Sequence, residues 1–190
     1  GRLASLLEKV KACRACADEL PLGARPVLQI SPEARILIAS QAPGKKVHES
    51  GIPFDDDSGR RLRQWMGISE EQFYDASLIA ILPMGFCYPG KGTGGDKPPR
   101  LECAPLWRDR ILEQLPQLSL TLLVGTYAQN HRLPPGTVTD RVFNFRAYLP
   151  DYFPLPHPSW RSRIWAERNP WFEERVIPQL RAAISDALKI

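Results

Sequence analysis

Four cysteines carry the clearest chemical signal in this 190-residue chain. Cys13-Arg-Ala-Cys16 is a close pair of thiols, and Cys87 and Cys103 form a wide pair with fifteen residues between them. In a chain expected to be intracellular, such spacing points to a metal or cluster before it points to disulfides. A two-residue gap lets both thiolates face one centre. The distant pair completes a four-thiolate set suited to Zn²⁺ or to an iron–sulfur cluster. Spacing alone does not choose between these, and four free or buried cysteines are the remaining alternative. Either centre would tie the N-terminal segment to the central loop and add binding energy to folding. A redox role does not follow.

A second group of residues lies on one loop and a distant tripeptide. Ser40-Gln-Ala-Pro-Gly44 opens a Gly/Pro-shaped segment that runs to Phe54, and such a loop aims backbone N–H groups at a ligand. Phe54 stands in polar surroundings. It either stacks on a planar base, as nucleic-acid enzymes do with an extruded nucleotide, or packs beneath the loop as core. Asp55, Asp56 and Asp57 read as solvated residues that cap a following helix. Adjacent carboxylates rarely converge on one cation, so a Mg²⁺ site is not expected. His157, between Pro156 and Pro158, is a donor at a strand end or a turn histidine. His48 and His131 read as loop and helix residues.

The elements that must position these groups are legible as apolar runs. Ala34–Ala39, Ser77–Leu82 and Leu118–Val124 predict buried strands, each ending in a loop. Val142–Leu149 reads as a further strand. Helices are predicted over Gly1–Lys11, Ser58–Met66, Pro105–Leu115, Thr126–His131 and Trp171–Leu188, with a long loop over Gly85–Arg100. Apolar strands alternating with helices predict an α/β fold in three α/β/α layers around a mainly parallel sheet. Ligands then bind beyond the carboxyl ends of the strands, where the loops after Ala39, Leu82 and Pro156 emerge.

Composition bounds the rest. Hydrophobic residues make up 43% and charged residues 24%, which excludes fibrous and disordered classes. The length suits one domain over residues 1–190. No apolar run reaches bilayer length, and the first eleven residues lack a signal core, so a cytoplasmic, non-membrane protein is expected. The net charge of +4 is a mild sign of a polyanionic partner. The 19 prolines cluster at Pro83–Pro105, Pro134–Pro135 and Pro150–Pro158 and mark shaped loops.

Taken in order, these segments resemble the uracil-DNA glycosylase superfamily, and its iron–sulfur family-four branch in particular. Ser40-Gln-Ala-Pro-Gly44, nine residues and Phe54 are similar to that branch's first motif, Gly-Glu-Ala-Pro-Gly, nine residues, Phe. His157-Pro-Ser159 is similar to the second motif. Arg35-Ile-Leu-Ile38, Leu123-Val-Gly-Thr-Tyr-Ala128 and the cysteine pattern also correspond. The resemblance implies a four-stranded sheet and a glycosylase that flips a deaminated base from DNA and hydrolyses its N-glycosidic bond. Gln41, Ala42, Pro43 and Gly44 would line the base pocket and Phe54 would stack on the base. His157 would donate to the base anion. Ser159, Trp160, Arg161 and Arg163 would lie against DNA, with Lys45 as a further contact. Trp160 or Ile164 would fill the gap left by the flipped nucleotide. Lys46, Lys91 and Arg100 are further phosphate candidates. Cys13, Cys16, Cys87 and Cys103 would hold a structural 4Fe–4S cluster, with zinc the alternative. DNA is the implied partner, and nothing requires a second subunit, so a monomer is expected.

Three positions depart from the family pattern. Ser40-Gln41 stands for Gly-Glu, which removes a carboxylate that could orient water, although Gln41 can still hydrogen-bond a base or a water and is expected with His157 among the catalytic residues. Ala42 falls where the classical branch has its water-activating aspartate. Pro83 falls where the family carries the asparagine that reads the uracil edge, and loss of such a group weakens discrimination. One substitute is the backbone after Pro83, which would then read the base. Two other functions stay open at this point. One is a non-catalytic DNA-binding member of the same fold; the other is a metal-stapled protein-interaction domain.

Overall fold

The computed structural model describes residues 1–189. The chain begins with α1 (Arg2–Lys11) and enters the sheet at β1 (Ile36–Ala39). Three short helices follow: α2 (Lys45–Ser50), α3 (Asp57–Met66) and α4 (Glu70–Phe73). After β2 (Ile79–Ile81) comes a small hairpin of β3 (Lys91–Gly92) and β4 (Gly95–Asp96). A π-helical turn at Ala104–Arg108 runs into α5 (Asp109–Leu112). Then come β5 (Leu120–Val124), α6 (Thr126–Arg132), α7 (Val138–Phe143), β6 (Tyr152–Leu155) and α8 (Arg161–Arg168). A second π-helical turn, Phe172–Val176, leads into α9 (Ile177–Ala187), where Pro178 at the helix start lacks the N–H that a regular turn would use.

The four long strands form one sheet in the order β2-β1-β5-β6, with every pairing parallel. Period-two alternation divides its side chains between two faces. Ile36, Ile38, Ile79, Ile81, Leu122 and Phe153 join a core built with α3, α9 and the second π-turn. Leu37, Ala80 and Leu82 face the other way, onto Leu6 and Val10 of α1 and Ile111 of α5. This is the three-layer α/β/α fold, and its sheet is wholly rather than mainly parallel. Among the described residues, no helix is long and apolar enough to cross a membrane.

One predicted strand is a helix. Val142–Leu149 lies in α7 and a 3₁₀ turn at Phe145–Tyr148. Thr137 caps α7 by accepting from the Asp140 N–H at 3.1 Å, and the buried Val142 and Phe145 stand one helical turn apart. The fourth strand is instead Tyr152–Leu155. It sits at the sheet edge, where Pro154 costs no inner ladder bond. The aspartate run caps a helix as predicted: the Asp56 carboxylate accepts from the Gly59 N–H at 2.9 Å. The helix α2, inside the first-motif loop, and the β3–β4 hairpin were not foreseen from the sequence.

Candidate functional site

The carboxyl ends of the four parallel strands open onto a cavity of about 490 Å³. From the end of β1 come Gln41, Ala42, Pro43 and Gly44, and from the end of β2 comes Pro83. The segment after β6 contributes His157, Ser159, Trp160 and Arg161. Phe54 completes the wall from beneath. Residues more than a hundred positions apart in sequence thus meet in one place. Lys45 and Arg163 are exposed on α2 and α8 and do not line the cavity.

Two residues that sequence reasoning passed over let the strand ends approach. Gly125 follows β5 with φ +88°, and a Cβ there would lie 3.4 Å from His157 Cβ and 3.5 Å from Gln41 Cγ. Both contacts are tight, and the positive φ favours glycine independently. Beneath it, buried Gln129 donates through Nε2 to Leu123 O at 3.2 Å and Leu155 O at 2.8 Å, fastening the ends of β5 and β6 together. The signal available in sequence was a glycine directly after an apolar strand. Tyr127, on the first turn of α6, also lines the cavity.

Burial pushes the His157 imidazole down to about 4, so it is neutral at physiological pH. A neutral imidazole presents one N–H donor and one acceptor, the form suited to hydrogen-bond a developing anion. The same shift couples to folding. Below about pH 6.5 the unfolded chain takes a proton that native His157 refuses until about pH 4. Its contribution is therefore complete above pH 6.5 and is lost as pH falls through that window. Urea unfolding at pH 7 and pH 5 should differ by up to about 2 kcal/mol from this group, and the difference should shrink in His157→Gln.

Phe54 serves the core and the cavity together. It is 9% exposed, packs edge-on against Phe73 with centroids 6.0 Å apart, and still lines the site. Its backbone is left-handed at φ 56°, a conformation costly for an aromatic residue and held here by its surroundings. Gly59 of α3 lies directly against it.

The two backbone N–H groups after Pro83 are engaged within the protein. The Met84 N–H donates to Ser40 O at 2.8 Å and the Gly85 N–H to Gln41 O at 2.9 Å. Buried Arg108 donates to Leu82 O at 3.1 Å and Pro83 O at 3.4 Å. This turn is stitched to the first-motif loop and to the π-turn below, which fixes Pro83 against the cavity.

At the cavity mouth Trp160 is 68% exposed, with the Arg161 guanidinium 5.3 Å from its ring centroid. Arg161 donates across the mouth to Gly94 O, joining the second-motif loop to the β3–β4 hairpin. Arg61 supports the same loop from α3, donating to Pro158 O at 3.0 Å and Ser159 O at 2.7 Å. Ile164 is also exposed nearby on α8.

Cys13, Cys16, Cys87 and Cys103 line one small cavity of about 20 Å³ on the α1 side, and none is in a disulfide. The Trp107 indole N–H and the Phe86 N–H point at Cys13 Sγ and Cys103 Sγ, each at 3.4 Å. The Cys16 thiol donates to Glu102 Oε2 at 2.8 Å. Burial pushes the Cys16 and Cys87 thiols up to about 11; the Glu102 carboxylate adds to the first, and neighbouring cysteines add to the second. Mutual thiolate repulsion inside a buried pocket is the electrostatics that a bound cation relieves. Among the described residues, no three His, Cys, Asp or Glu side chains converge in the arrangement of an ion site. The fold gathers the four cysteines without closing them on a point.

The family model described as Uracil DNA glycosylase superfamily matches residues 28–181 of the chain.

Proposed function

The chain belongs to the uracil DNA glycosylase superfamily, and on that premise we propose that it is a DNA repair glycosylase that removes a deaminated base, uracil or a relative of it. The observation that carries this reading is the meeting of Gln41–Gly44, Phe54 and neutral His157 around one cavity at the strand ends. A flipped base enters that cavity and stacks on Phe54, against Ala42, Pro43, Gly44 and Pro83. As the C1′–N bond breaks, its electron pair moves onto the base, and the His157 N–H stabilises the resulting oxyanion. Gln41 bonds the base edge or a water. Ser159, Trp160 and Arg161 hold the strand, with Lys45 and Arg163 reaching phosphates from outside the cavity. The wedge is Trp160, the most exposed aromatic of that loop.

The four cysteines suit a structural 4Fe–4S cluster. Two of the sulfurs already accept N–H bonds of the kind that tune cluster sulfurs, which supports the cluster over the zinc alternative. Such a group would supply a covalent tie between α1 and the Cys87–Cys103 loop, and no chemistry at the base.

The second reading, a DNA binder without catalysis, is favoured by Pro83 in the asparagine position and by the engaged backbone beside it. The deciding measurement is base release from oligonucleotides carrying uracil, hypoxanthine or xanthine, single- and double-stranded. Alkali-sensitive breakage at one lesion establishes the enzyme and identifies its base. Binding without breakage by protein with its metal content intact establishes the binder.

A further inference from the structure

The first motif lacks the carboxylate that would handle water, yet two carboxylates reach the cavity from elsewhere. Asp56 comes from the cap of α3 and Asp96 from β4, and both line the site. A Cβ placed on Gly44 would lie 3.7 Å from Asp96 Oδ2 and 3.9 Å from Asp56 Oδ2. The two oxygens therefore flank one glycine of the first-motif loop. The pair is also divided in its duties. Asp56 Oδ1 accepts from the Gly59 N–H at 2.9 Å, which fixes the carboxylate in place. The Asp96 carboxylate has no hydrogen-bond or ion-pair partner among the described residues.

The hairpin that carries Asp96 is fastened over the cavity rather than loose beside it. The Lys97 N–H donates to Gly90 O at 2.8 Å, and Arg161 of the second-motif loop donates to Gly94 O. Desolvation at the mouth raises the proton affinity of Asp96, Lys91 opposes it, and the nearby Asp56 adds to the rise. A carboxylate of raised proton affinity beside a second one in a different environment is the usual basis for assigning the first as the base.

We propose that Asp96 is the general base of this glycosylase and that Asp56 is the fixed anion facing the sugar, an inference that rests on the glycosylase reading above. The C1′–N bond breaks with its electrons passing to the base, which leaves as the anion bonded by His157. A water oxygen bonds to C1′, and its proton passes to the Asp96 carboxylate. That proton then returns to solvent or to the departing base, leaving an abasic sugar with a C1′ hydroxyl. Asp56 stays ionised opposite the cationic sugar.

The test is single-turnover release from a single-stranded oligonucleotide, using whichever of uracil, hypoxanthine or xanthine the unaltered protein removes fastest. Binding is followed in parallel on an oligonucleotide with a tetrahydrofuran abasic analogue. Asp96→Asn should slow release by about 10²-fold or more while changing tetrahydrofuran affinity less than threefold. Asp96→Glu should recover part of the rate. Asp96→Asn release within threefold of the unaltered protein would overturn the assignment while leaving the glycosylase reading intact. If the unaltered protein releases no base at all, that reading itself fails, and the assignment with it. Because Asp96 is exposed on the hairpin, the variant should keep its melting temperature, and lost affinity together with lost stability would instead mark a structural role and overturn the proposal.

Discussion

Replacing His157 by alanine should reduce single-turnover base release by about 10²- to 10³-fold, the usual effect of deleting one preorganised donor to a developing oxyanion. DNA binding should change far less, because the exposed Trp160 and Arg161, proposed above to hold the strand, are untouched. The size of the effect follows from the imidazole's surroundings. His157 is kept neutral by burial, so its N–H interacts with a base that gains charge only as the bond breaks. The donor therefore acts chiefly in the transition state and little in the bound ground state. His157→Gln retains a donor of similar reach and should fall between the two. The rate supported by His157 should stay level from neutral pH down towards about pH 5 and decline only as the imidazole protonates near pH 4. A variant that released base as fast as the unaltered protein would move the oxyanion contact to another group.

Gly59→Ala should be among the most damaging single-methyl additions in the chain. A Cβ at that position would fall 1.8 Å from Phe54 O and 2.7 Å from Phe54 Cβ. The first of these is backbone, and no rotamer change relieves it. Either α3 backs away from the first-motif loop or Phe54 leaves its left-handed position. Overpacking of this kind costs about 3 kcal/mol or more, which for a domain of this size lowers the melting temperature by roughly 6–12 °C. Gly23→Ala provides the comparison. Gly23 has a positive φ, 83°, where Gly59 is helical, but a Cβ there meets nothing within 4 Å, so only backbone strain of about 1–2 kcal/mol applies. A loss at Gly59 no larger than that at Gly23 would show that the chain relieves the contact with Phe54 at little cost. Gly59→Ala should also slow base release, since the displaced ring is a wall of the cavity.

Much of this architecture was legible in advance because burial on both faces leaves a continuous apolar run. Ile36–Ala39, Ile79–Ile81 and Leu120–Val124 all have that character, and all are strands. The fourth strand escaped because Tyr152-Phe-Pro-Leu155 contains a proline and is short, whereas Val142–Leu149 nearby offered more apolar residues. The periodicity there was helical, and Thr137 supplied the cap that settles it. At the site, Gln41–Gly44, Phe54 and His157 were visible because loop chemistry and motif spacing coincide. The same segment gave two alternatives for Phe54, core or a ring that stacks on a base, and the folded chain packs it in the core at the wall of the cavity. Asp96 was invisible for a physical reason. It lies among glycines and lysines in a stretch with no periodicity, and only the bonds made by Lys97 and Arg161 bring it over the cavity. Asp56 was visible as a cap, but its second oxygen's outlook depends on where Gly44 falls.

The two sides of the sheet are clad unequally. One is covered by α3, α9 and a suite of stacked and edge-on aromatics that includes Trp65, Phe73, Phe153 and Phe172. The other is covered chiefly by α1 and α5 over smaller side chains such as Ala34, Leu37 and Ala80. Local opening takes the thinner cover first, because fewer apolar contacts hold it down. The cysteine-lined cavity sits at the seam of that cover, joining α1's end to the segment between Cys87 and Cys103. Hydrogen exchange should therefore find the α1–α5 cover opening before the α3–α9 side, on which Phe54 and the strand-end cavity are built. The Asp96 hairpin, which roofs that cavity, hangs from the loop that begins at the less durable seam, so the completeness of the roof is tied to the integrity of a surface on the far side of the sheet.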